Sequence, residues 1–310
     1  MGCKLHRGFE SPPLRLKLMN KNQQFIPQTT GDGSFTFYSE EFQEAFHSAY
    51  GAKQEAEVRY IAPCLIKELA AQKSTIRLLD ICYGLGYNSA AALEAIWQVN
   101  PNCQVELIAL EISAAVPRQA IAQGLLQFWQ TPVPELLAEL AETNQVKTSL
   151  LSATLLLGDA RQTIQSVIQN TWQADAIFLD PFSPPKCPQL WTVEFLALIA
   201  QCLSPTGRLA TYSCAAAVRT ALLTTGLNIS SITGMGRKSP STLASFEYKN
   251  LPPLCLQEQE HLSTRAAIPY RDPHLQDKSQ EIIARRELEQ QASHLESTSQ
   301  WRKRWLKLNI

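Results

Sequence analysis

One stretch of the chain restricts its fold more than any other, because an apolar run ending near an acid passes directly into a Gly-x-Gly turn. Asp80 lies near the end of the run at 78–81, and Gly84 and Gly86 follow it. Residues 89–99 are rich in alanine and predict a helix. A strand, a glycine turn and a helix in this order let the backbone approach a nucleotide at the helix N-terminus. The stretch therefore predicts an α/β fold that binds a nucleotide-bearing ligand at this turn.

Apolar segments with strand character alternate with helical segments along most of the chain, which is typical of a doubly wound sheet. Strands are predicted at 76–82, 105–111, 154–157, 176–180, 208–212, 227–233 and 241–246. Helices are predicted between them at 89–99, 117–128, 161–168, 193–202 and 215–225. The last two strands are close enough in sequence to pair antiparallel, and 129–151 is interpreted as an insertion. The predicted fold class is thus α/β, with a seven-stranded, mostly parallel, Rossmann-like sheet.

The segments before and after this sheet have patterns of their own. Residues 14–18 and 35–38 alternate between apolar and polar around a glycine-rich turn, which predicts an N-terminal β-hairpin. Ser39 is a plausible N-cap of a helix, and a second helix is expected at 54–71. After residue 251 the composition changes, and a charged helix is predicted at 276–295. The predicted domains are the hairpin and lead-in helix at 1–50, the main domain at 51–250 and a basic C-terminal extension at 251–310.

Composition excludes several classes of protein. Among 310 residues, 45% are hydrophobic and 18% are charged, which indicates a soluble globular chain. No apolar run is long enough to span a bilayer and no signal peptide is visible, so we expect a cytoplasmic protein without a membrane partner. The eight cysteines lack Cys-x-x-Cys spacing and the five histidines are scattered, so no metal site is expected. The sequence indicates no stable protein partner.

Charge is distributed unevenly although the formal net charge is zero. Residues 1–24 contain five basic residues and one acid, and residues 261–310 contain nine basic residues and six acids. The stretch between them is acidic, with 14 basic and 21 acidic residues. Basic ends on an acidic body are compatible both with arms that bind a polyanion and with ordinary solvated surfaces.

Acids at the ends of the predicted strands indicate which cofactor binds at the turn. The third glycine of the dinucleotide fingerprint is replaced by Ser89, which argues against NAD. Asp80, Glu111, Asp159 and Asp180 end four consecutive strands, so they are expected to converge on one crevice. One such acid alone is more simply a helix N-cap, but four together are the layout of class I S-adenosyl-L-methionine (SAM) methyltransferases. The positive sulfonium of SAM also suits a carboxylate-rich pocket.

We therefore expect SAM as the cofactor. Glu111 is expected to accept hydrogen bonds from the ribose hydroxyls, and Asp159 from the adenine amino group. The expected cofactor-binding residues are Asp80, Tyr83, Gly84, Gly86, Asn88, Glu111, Gly158, Asp159, Ala160 and Asp180.

The segment after the fourth predicted strand indicates the methyl acceptor. Asp180 is placed to hold an amine by hydrogen bonds and to take its proton, since only a neutral nitrogen can attack a methyl group. Phe182 follows two residues later and offers an aromatic face to a planar base. Asp180 and Phe182 are therefore the predicted catalytic residues.

Several segments resemble the MnmC-type tRNA methyltransferases. The run at 176–191 resembles the family's Asp-Gly-Phe-x-Pro-x-Lys-Asn-Pro-x-x-Trp segment, and 83–88 resembles Phe-Gly-Thr-Gly-Leu-Asn. Residues 234–238 are similar to Gly-Phe-Gly-Arg-Lys, and 57–60 to Glu-Thr-Arg-Tyr. The resemblance covers about 35–246, but Pro181 replaces a family glycine and Cys187 a family asparagine.

The resemblance implies an N-methyltransferase of the stand-alone, MnmD type, without the FAD-dependent oxidase half. Its substrate would be tRNA with a 5-aminomethyluridine-type wobble base, and its product 5-methylaminomethyl(-2-thio)uridine. Asp180 would orient and deprotonate the amine, and Phe182 would pack on the uracil. The candidate RNA contacts are Lys186, Trp191, Arg237 and Lys238. For each of them, solvation or packing is the simpler explanation.

Other functions remain compatible with the sequence. A class I methyltransferase that acts on a small-molecule or protein amine fits the composition equally well. A catalytically silent SAM-fold protein that binds RNA is a second alternative, but it would not need a carboxylate at Asp180. An NAD dehydrogenase is disfavoured by the missing third glycine.

Overall fold

A computed structural model of the protein describes residues 25–233, 239–249 and 251–308. The described part of the chain begins with two small antiparallel strand pairs. Strand β1 (Gln28–Thr29) pairs with β2 (Phe35–Thr36), and β3 (Tyr38–Ser39) pairs with β4 (Glu44–Ala45). Gly33 adopts φ 80° in the turn between β1 and β2, a conformation that glycine tolerates without strain. The turn of the predicted hairpin is present and residues 35–36 pair with 28–29, whereas the predicted partner strand at 14–18 lies outside the described residues and stays a prediction.

The helix expected from Ser39 is wrong, because residues 38–45 form the second of these pairs. Aromatic side chains explain the difference: Phe37 is fully buried, and its carbonyl accepts a hydrogen bond from Phe46 N at 2.9 Å. Their rings meet edge to face at 6.4 Å. Packing of the buried Phe37 ring against the half-buried Phe46 ring favours the strand pair over the local helix signal.

Eight strands of the described chain form the central sheet, in the order β11-β12-β10-β9-β5-β6-β8-β7. Their bounds are β5 (Thr75–Ile81), β6 (Gln104–Glu111), β7 (Gln145–Lys147), β8 (Leu151–Leu157), β9 (Ala174–Leu179), β10 (Leu203–Thr211), β11 (Asn228–Ile232) and β12 (Ser241–Ser245). The five strands from β10 to β8 are mutually parallel, and β11, β12 and β7 are antiparallel to their neighbours. The mostly parallel sheet and the antiparallel final pair are confirmed.

Two sheet predictions need correction. The expected insertion at 129–151 contains a helix and supplies β7, so the sheet has eight strands rather than seven. Strand β10 begins at Leu203 instead of 208, and its pairing with β9 has a register shift between Leu203 and Arg208. Gly207 is packed so closely there that an added Cβ would lie 2.8 Å from Ala174 O. The glycine therefore signals close backbone approach and not a break between elements.

Helices cover both faces of the sheet. The α-helices are α1 (Ala52–Ala56), α2 (Ile66–Gln72), α3 (Tyr87–Val99), α4 (Ala115–Ala122), α5 (Val133–Thr143), α6 (Ala160–Gln169), α7 (Val193–Gln201), α8 (Ala216–Thr224), α9 (Leu256–His261), α10 (Ser279–Ala292) and α11 (Thr298–Leu308). Residues of α1 to α5 join one core cluster and residues of α6, α7, α8 and α10 join the other. Along β9, Ala176 and Phe178 face the first cluster while Ile177 and Leu179 face the second. A strand buried on both faces needs this continuous apolar run.

Two predicted helices are interrupted. The segment expected as one helix at 54–71 is divided into α1, a π-helical turn (Glu57–Ile61) and α2. Pro63 lies between the last two and lacks an N–H for a helical hydrogen bond, and Leu65 adopts a left-handed φ of 55°. The helix expected at 117–128 ends at Ala122, two residues before Gly124 at φ 67°.

The C-terminal extension packs along the second face of the sheet. Val193 N donates to Tyr270 O at 3.1 Å, and Ile282 of α10 is fully buried. Trp301 of α11 stacks on His261 of α9, with ring centroids 4.5 Å apart. The predicted charged helix at 276–295 corresponds to α10. The extension thus docks on the main domain through α10 and on itself through α11.

The strand order positions the crevice. Strand β5 lies between β6 and β9 in the sheet. After β5, the chain first adds β6, β8 and β7 on one side and then adds β9, β10 and the final pair on the other side. In an open α/β sheet, ligands bind at the carboxyl ends of strands where the order reverses in this way. The carboxyl end of β5 is therefore the place to examine.

Candidate active site

A cavity of about 530 Å³ opens at the carboxyl ends of β5, β6, β8 and β9. Seven of the predicted site residues line it: Gly84, Glu111, Gly158, Asp159, Ala160, Asp180 and Phe182. The N-terminal strand pair β3–β4 and the residues after it line the other side, up to Glu55. The cavity is large enough for a nucleoside-sized ligand.

The glycine turn between β5 and α3 forms the floor of the cavity. Cys82 N and Tyr83 N both donate to Leu110 O at 3.0 Å, which ties the turn to β6. Gly84 and Gly86 adopt φ 56° and 86°, so both need the freedom of glycine. A Cβ on Gly86 would lie 2.5 Å from the Tyr83 hydroxyl, because the Tyr83 ring covers that glycine. Tyr83 and Gly86 thus shape the turn from behind the cavity wall.

Glu111 joins the end of β6 to the same turn. Its carboxylate accepts from Gly84 N at 2.9 Å and from Ser113 N at 3.2 Å. Burial raises the pKa of Glu111 and these backbone hydrogen bonds oppose the rise. A buried acceptor on the cavity wall is suited to ribose hydroxyls, as predicted.

Asp80 lies beneath the turn and is fully buried. Its Oδ2 accepts from Ser89 Oγ at 2.6 Å, whereas Oδ1 has no hydrogen-bond partner among the described residues. Burial raises the pKa of Asp80 to about 8, and the charges of Asp180 and Glu111 add to the rise. Asp80 is therefore a neutral acid at neutral pH with an unused polar atom beside the cofactor turn.

Asp159 is the N-cap of α6 and accepts from Arg161 N at 3.0 Å. The Arg161 guanidinium also holds this carboxylate at 2.7 Å and reaches the buried Asp272 of the C-terminal extension at 2.7 Å. The N-cap explanation and the predicted cavity position are thus both correct for Asp159. Its orientation depends on an arginine and on a segment that sequence patterns did not connect with the site.

Asp180 follows β9 and lies half-buried on the cavity wall. Tyr60 donates its hydroxyl to Oδ1 at 2.5 Å, and Asn88 donates its amide to Oδ2 at 3.0 Å. Burial raises the pKa of Asp180 to about 7, a rise that the Tyr60 hydrogen bond opposes. Asn88, which was expected to bind the cofactor, donates to the predicted catalytic carboxylate, and its cofactor contact stays a prediction.

Phe182 lies in an aromatic cluster at the mouth of the cavity. Phe42 stacks on its ring with centroids 4.4 Å apart, and Phe46 meets it edge-on at 5.0 Å. Trp191, which is fully buried, donates its indole N–H to Phe182 O at 2.8 Å. Trp191 therefore holds the loop by packing, and it has no exposed face for a substrate base.

Strand β4 contributes the part of the site that the sequence did not indicate. Glu44 accepts from Ser183 N at 2.9 Å and from the Ser183 hydroxyl, which ties the strand pair to the loop after Asp180. His47 also lines the cavity, and burial lowers its pKa to about 4, so it is neutral at physiological pH. The spacing of Phe42 and Phe46 is the sequence feature that could have indicated this part of the site. It was interpreted as part of the helix predicted from Ser39.

Among the other predicted RNA contacts, Lys186 is described by the structure and does not line the cavity. Lys186 is exposed on the loop after Asp180. Arg237 and Lys238 lie outside the described residues. Within the described ranges no cluster of His, Cys, Asp and Glu is arranged to hold a metal ion, and no helix there is long and apolar enough to cross a membrane.

The residues present fit SAM. Glu111 and Asp159 offer acceptors at one end of the cavity, and the Gly84 backbone borders it without a side chain. The carboxyl groups of Glu111, Asp159 and Asp180 line the cavity together, so it favours a positively charged group. A sulfonium satisfies this requirement.

Comparison with known proteins shows the family to which the chain belongs. Residues 123–247 match the model of a family described as S-adenosyl-L-methionine-dependent methyltransferases. The crystal structure of MnmC2 from Aquifex aeolicus is similar, with a TM-score of 0.76 and 34% identity over 87% of this chain and 86% of that one. An uncharacterised protein of Methanocaldococcus jannaschii is 30% identical over 92% of this chain and 78% of its own length.

A longer relative in Ralstonia nicotianae is the tRNA 5-methylaminomethyl-2-thiouridine biosynthesis bifunctional protein MnmC. It is 29% identical over 71% of this chain and 34% of its own length. The chain therefore spans about a third of the length of the bifunctional relatives that it matches.

Proposed function

We propose that this chain, which belongs to the family of SAM-dependent methyltransferases that includes MnmC2 of Aquifex aeolicus, N-methylates an aminomethyl group on the wobble uridine of tRNA. The product would be 5-methylaminomethyluridine or its 2-thio form. The observation that carries the proposal is the Asp180 carboxylate, which lines the cavity and has a pKa of about 7.

A carboxylate with this pKa suits proton transfer from an amine. A primary alkylamine is mostly an ammonium ion at neutral pH, and only its neutral form has a free lone pair. Asp180 can bind the ammonium by charge-assisted hydrogen bonds and then accept one proton, because the pKa of an effective base lies near the working pH. Asp180 thereby orients the nitrogen and makes it nucleophilic.

SAM, when bound, supplies a methyl group on a positively charged sulfur, and its transfer to the neutral amine leaves S-adenosyl-L-homocysteine and a secondary ammonium. Glu111, Asp159 and the Gly84 backbone would hold the nucleoside part of SAM. The protein must bring the amine in line with that methyl group and exclude water. Holding the two reactants in this orientation lowers the activation barrier, because the entropy of bringing them together is lost on binding. The apolar mouth formed by Phe42, Phe46 and Phe182 favours exclusion of water.

The choice of a tRNA base rests on the relatives and on the aromatic mouth. The longer relatives carry the name of a tRNA 5-methylaminomethyl-2-thiouridine biosynthesis protein. RNA bases that are modified are commonly flipped out and stacked on aromatic side chains. Phe42 covers one face of Phe182, so the uracil would stack on the cluster's remaining surface or displace Phe42.

One experiment tests the proposal directly. The protein is incubated with methyl-labelled SAM and with tRNA from a strain that lacks the terminal methylation, and the digested nucleosides are separated. We expect label in 5-methylaminomethyl(-2-thio)uridine, and no transfer to tRNA that already carries the methyl group. Label found in protein or in small amines, with none in the wobble uridine, would replace this proposal by the alternative substrate classes.

A further inference from the structure

Tyr60 is a buried side chain that the proposed reaction has not yet used. It is 1% exposed, and its hydroxyl donates to Asp180 Oδ1 at 2.5 Å. The Asn88 amide donates to the other oxygen at 3.0 Å. Each carboxylate oxygen has two acceptor positions, so these donors fix the plane of the carboxylate and leave one position on each oxygen for a substrate.

The backbone around Tyr60 is held from both sides. A π-turn places the residue, with Ala62 N donating to Glu57 O at 3.0 Å, and such turns occur often at functional sites. Arg59 pairs with Glu55 at 3.2 Å and donates to Ser241 Oγ at 2.7 Å. The Tyr60 ring also meets the ring of Phe178 edge-on at 5.9 Å. The hydroxyl therefore has a fixed position relative to Asp180.

Tyr60 remains a hydrogen-bond donor at every working pH. Burial, and then the neighbouring Asp180 charge, raise the pKa of Tyr60 well above its ordinary value. A donor that never ionises stabilises the ionised form of its partner, and the Tyr60 bond lowers the pKa of Asp180 against the effect of burial. The hydroxyl thus opposes the burial that would otherwise keep Asp180 protonated.

We propose that Tyr60 is a positioning residue for methyl transfer, whose hydroxyl holds the Asp180 carboxylate in one orientation and in the ionised form that receives the substrate ammonium. This inference rests on the proposed function. It also gives a physical reason for the segment at 57–60, which the sequence comparison singled out without a role. Tyr60 lies 120 residues from Asp180 in the chain, so sequence spacing could not connect them.

The kinetic test uses Tyr60→Phe, which keeps the ring and removes the hydroxyl. We expect the acid limb of the kcat profile to move up by about 1–2 pH units, the range expected for loss of a hydrogen bond to a charged group. At pH values above this limb kcat recovers, and the Kd for SAM does not change. The matched control is Tyr270→Phe, since Tyr270 is a similarly buried tyrosine on the extension and should leave the limb in place. An equal loss of kcat at every pH, or an unmoved limb, overturns the inference.

A second arm needs no substrate. The Asp180 carboxyl is titrated by NMR in protein labelled with 13C at aspartate Cγ, and its resonance is assigned by its absence from Asp180→Asn. We expect Tyr60→Phe to raise the Asp180 midpoint and Tyr270→Phe to leave it unchanged. If the unmodified protein does not methylate tRNA, the proposed function fails while this arm still decides the role of Tyr60. An unchanged midpoint in Tyr60→Phe overturns the inference even if tRNA is methylated.

Discussion

At the scale of single residues, the site concentrates acids in a place where burial disfavours their charge. Asp80, Glu111 and Asp180 all have a raised pKa, in each case chiefly because of burial. Each is compensated differently: Asp80 by one hydroxyl, Glu111 by backbone amides, and Asp180 by Tyr60 and Asn88. The charges of Asp180 and Glu111 also raise the pKa of Asp80, and a positively charged ligand would oppose this effect. Under the proposed function, the positively charged groups are the sulfonium of SAM and the ammonium of the substrate.

The role of Asp180 predicts a specific separation of binding from turnover. Asp180→Ala should abolish methyl transfer, because the amine loses its proton acceptor, while the Kd for SAM changes little. The matched control is Asp175→Asn on the same strand, which pairs with Lys73 at the opposite end of β9. Single-turnover transfer and calorimetric SAM titration measure the two quantities. Loss of SAM binding in Asp180→Ala would make Asp180 a cofactor ligand and refute its role as a base.

Asp80 predicts a pH dependence of stability. Its folded pKa of about 8 lies above the ordinary value of 3.8, so the native state binds the extra proton between these values and stability falls as pH rises through this window. Asp80→Asn removes the effect. We expect the difference in free energy of unfolding, Asp80→Asn minus the unmodified protein, to increase with pH. The increase is up to about 1.4 kcal/mol per pH unit between about pH 5 and pH 8.

Asp32 provides a control for the pH dependence of stability predicted from Asp80, because its pKa is shifted in the opposite direction. The pKa of Asp32 is lowered in the folded protein, where its hydrogen bonds with Ser34, Gln54 and Thr30 outweigh burial. Its stabilising contribution is therefore present at neutral pH and is lost as pH falls. Urea unfolding of Asp32→Asn should show a larger deficit at neutral than at acid pH, the opposite trend to Asp80→Asn. Parallel stability curves for Asp80→Asn and the unmodified protein would contradict the Asp80 assignment.

At the scale of elements, the sequence predicts well the strands and helices that have a local periodic pattern. It predicts poorly the elements that are stabilised by residues far away in the chain. The strand, glycine turn and helix around Gly84 have local causes, and so do the strand-end acids, so these were predictable. The strand pair β3–β4 is stabilised by contacts of Phe46 and Glu44 with residues of the loop after Asp180, which no local pattern reveals. Tyr60 and Asp180 are 120 residues apart in the chain, and Arg161 and Asp272 are 111 residues apart, so local patterns do not reveal these contacts either.

The strand pair predicts an effect of Glu44 on the substrate mouth. Glu44→Ala removes both hydrogen bonds to Ser183, so Phe42 should lose its stacked position on Phe182. We expect the free energy of unfolding to fall by about 1–3 kcal/mol, and the kcat/KM for tRNA to fall because the mouth loses its shape. The matched control is Glu41→Ala, an exposed acid in the turn between β3 and β4. Steady-state kinetics with tRNA would contradict this account if both variants behaved alike.

At the scale of the whole molecule, the basic C-terminal extension is connected to the cofactor end of the site. Asp272 is fully buried and pairs with Arg161, which in turn holds Asp159 on the cavity wall. Asp277 O accepts from the same guanidinium at 3.0 Å. The predicted boundary at 251 marks a change in composition, yet one buried ionic network crosses it. The extension therefore supports the site, whatever its basic surface binds.

Asp272 provides the strictest test of this connection. Asp272→Ala leaves the Arg161 charge buried with one of its two carboxylates, and breaking such a buried pair typically costs about 3–5 kcal/mol. Asp277→Ala is the matched control, because it removes a partly exposed carboxylate five residues away but keeps the backbone acceptor for Arg161; a loss of about 0–1 kcal/mol is expected. We expect only Asp272→Ala to weaken SAM binding, since Arg161 then no longer orients Asp159. If calorimetry showed both variants binding SAM like the unmodified protein, the extension would support the fold alone, and Asp159 would keep its position as an N-cap without Asp272.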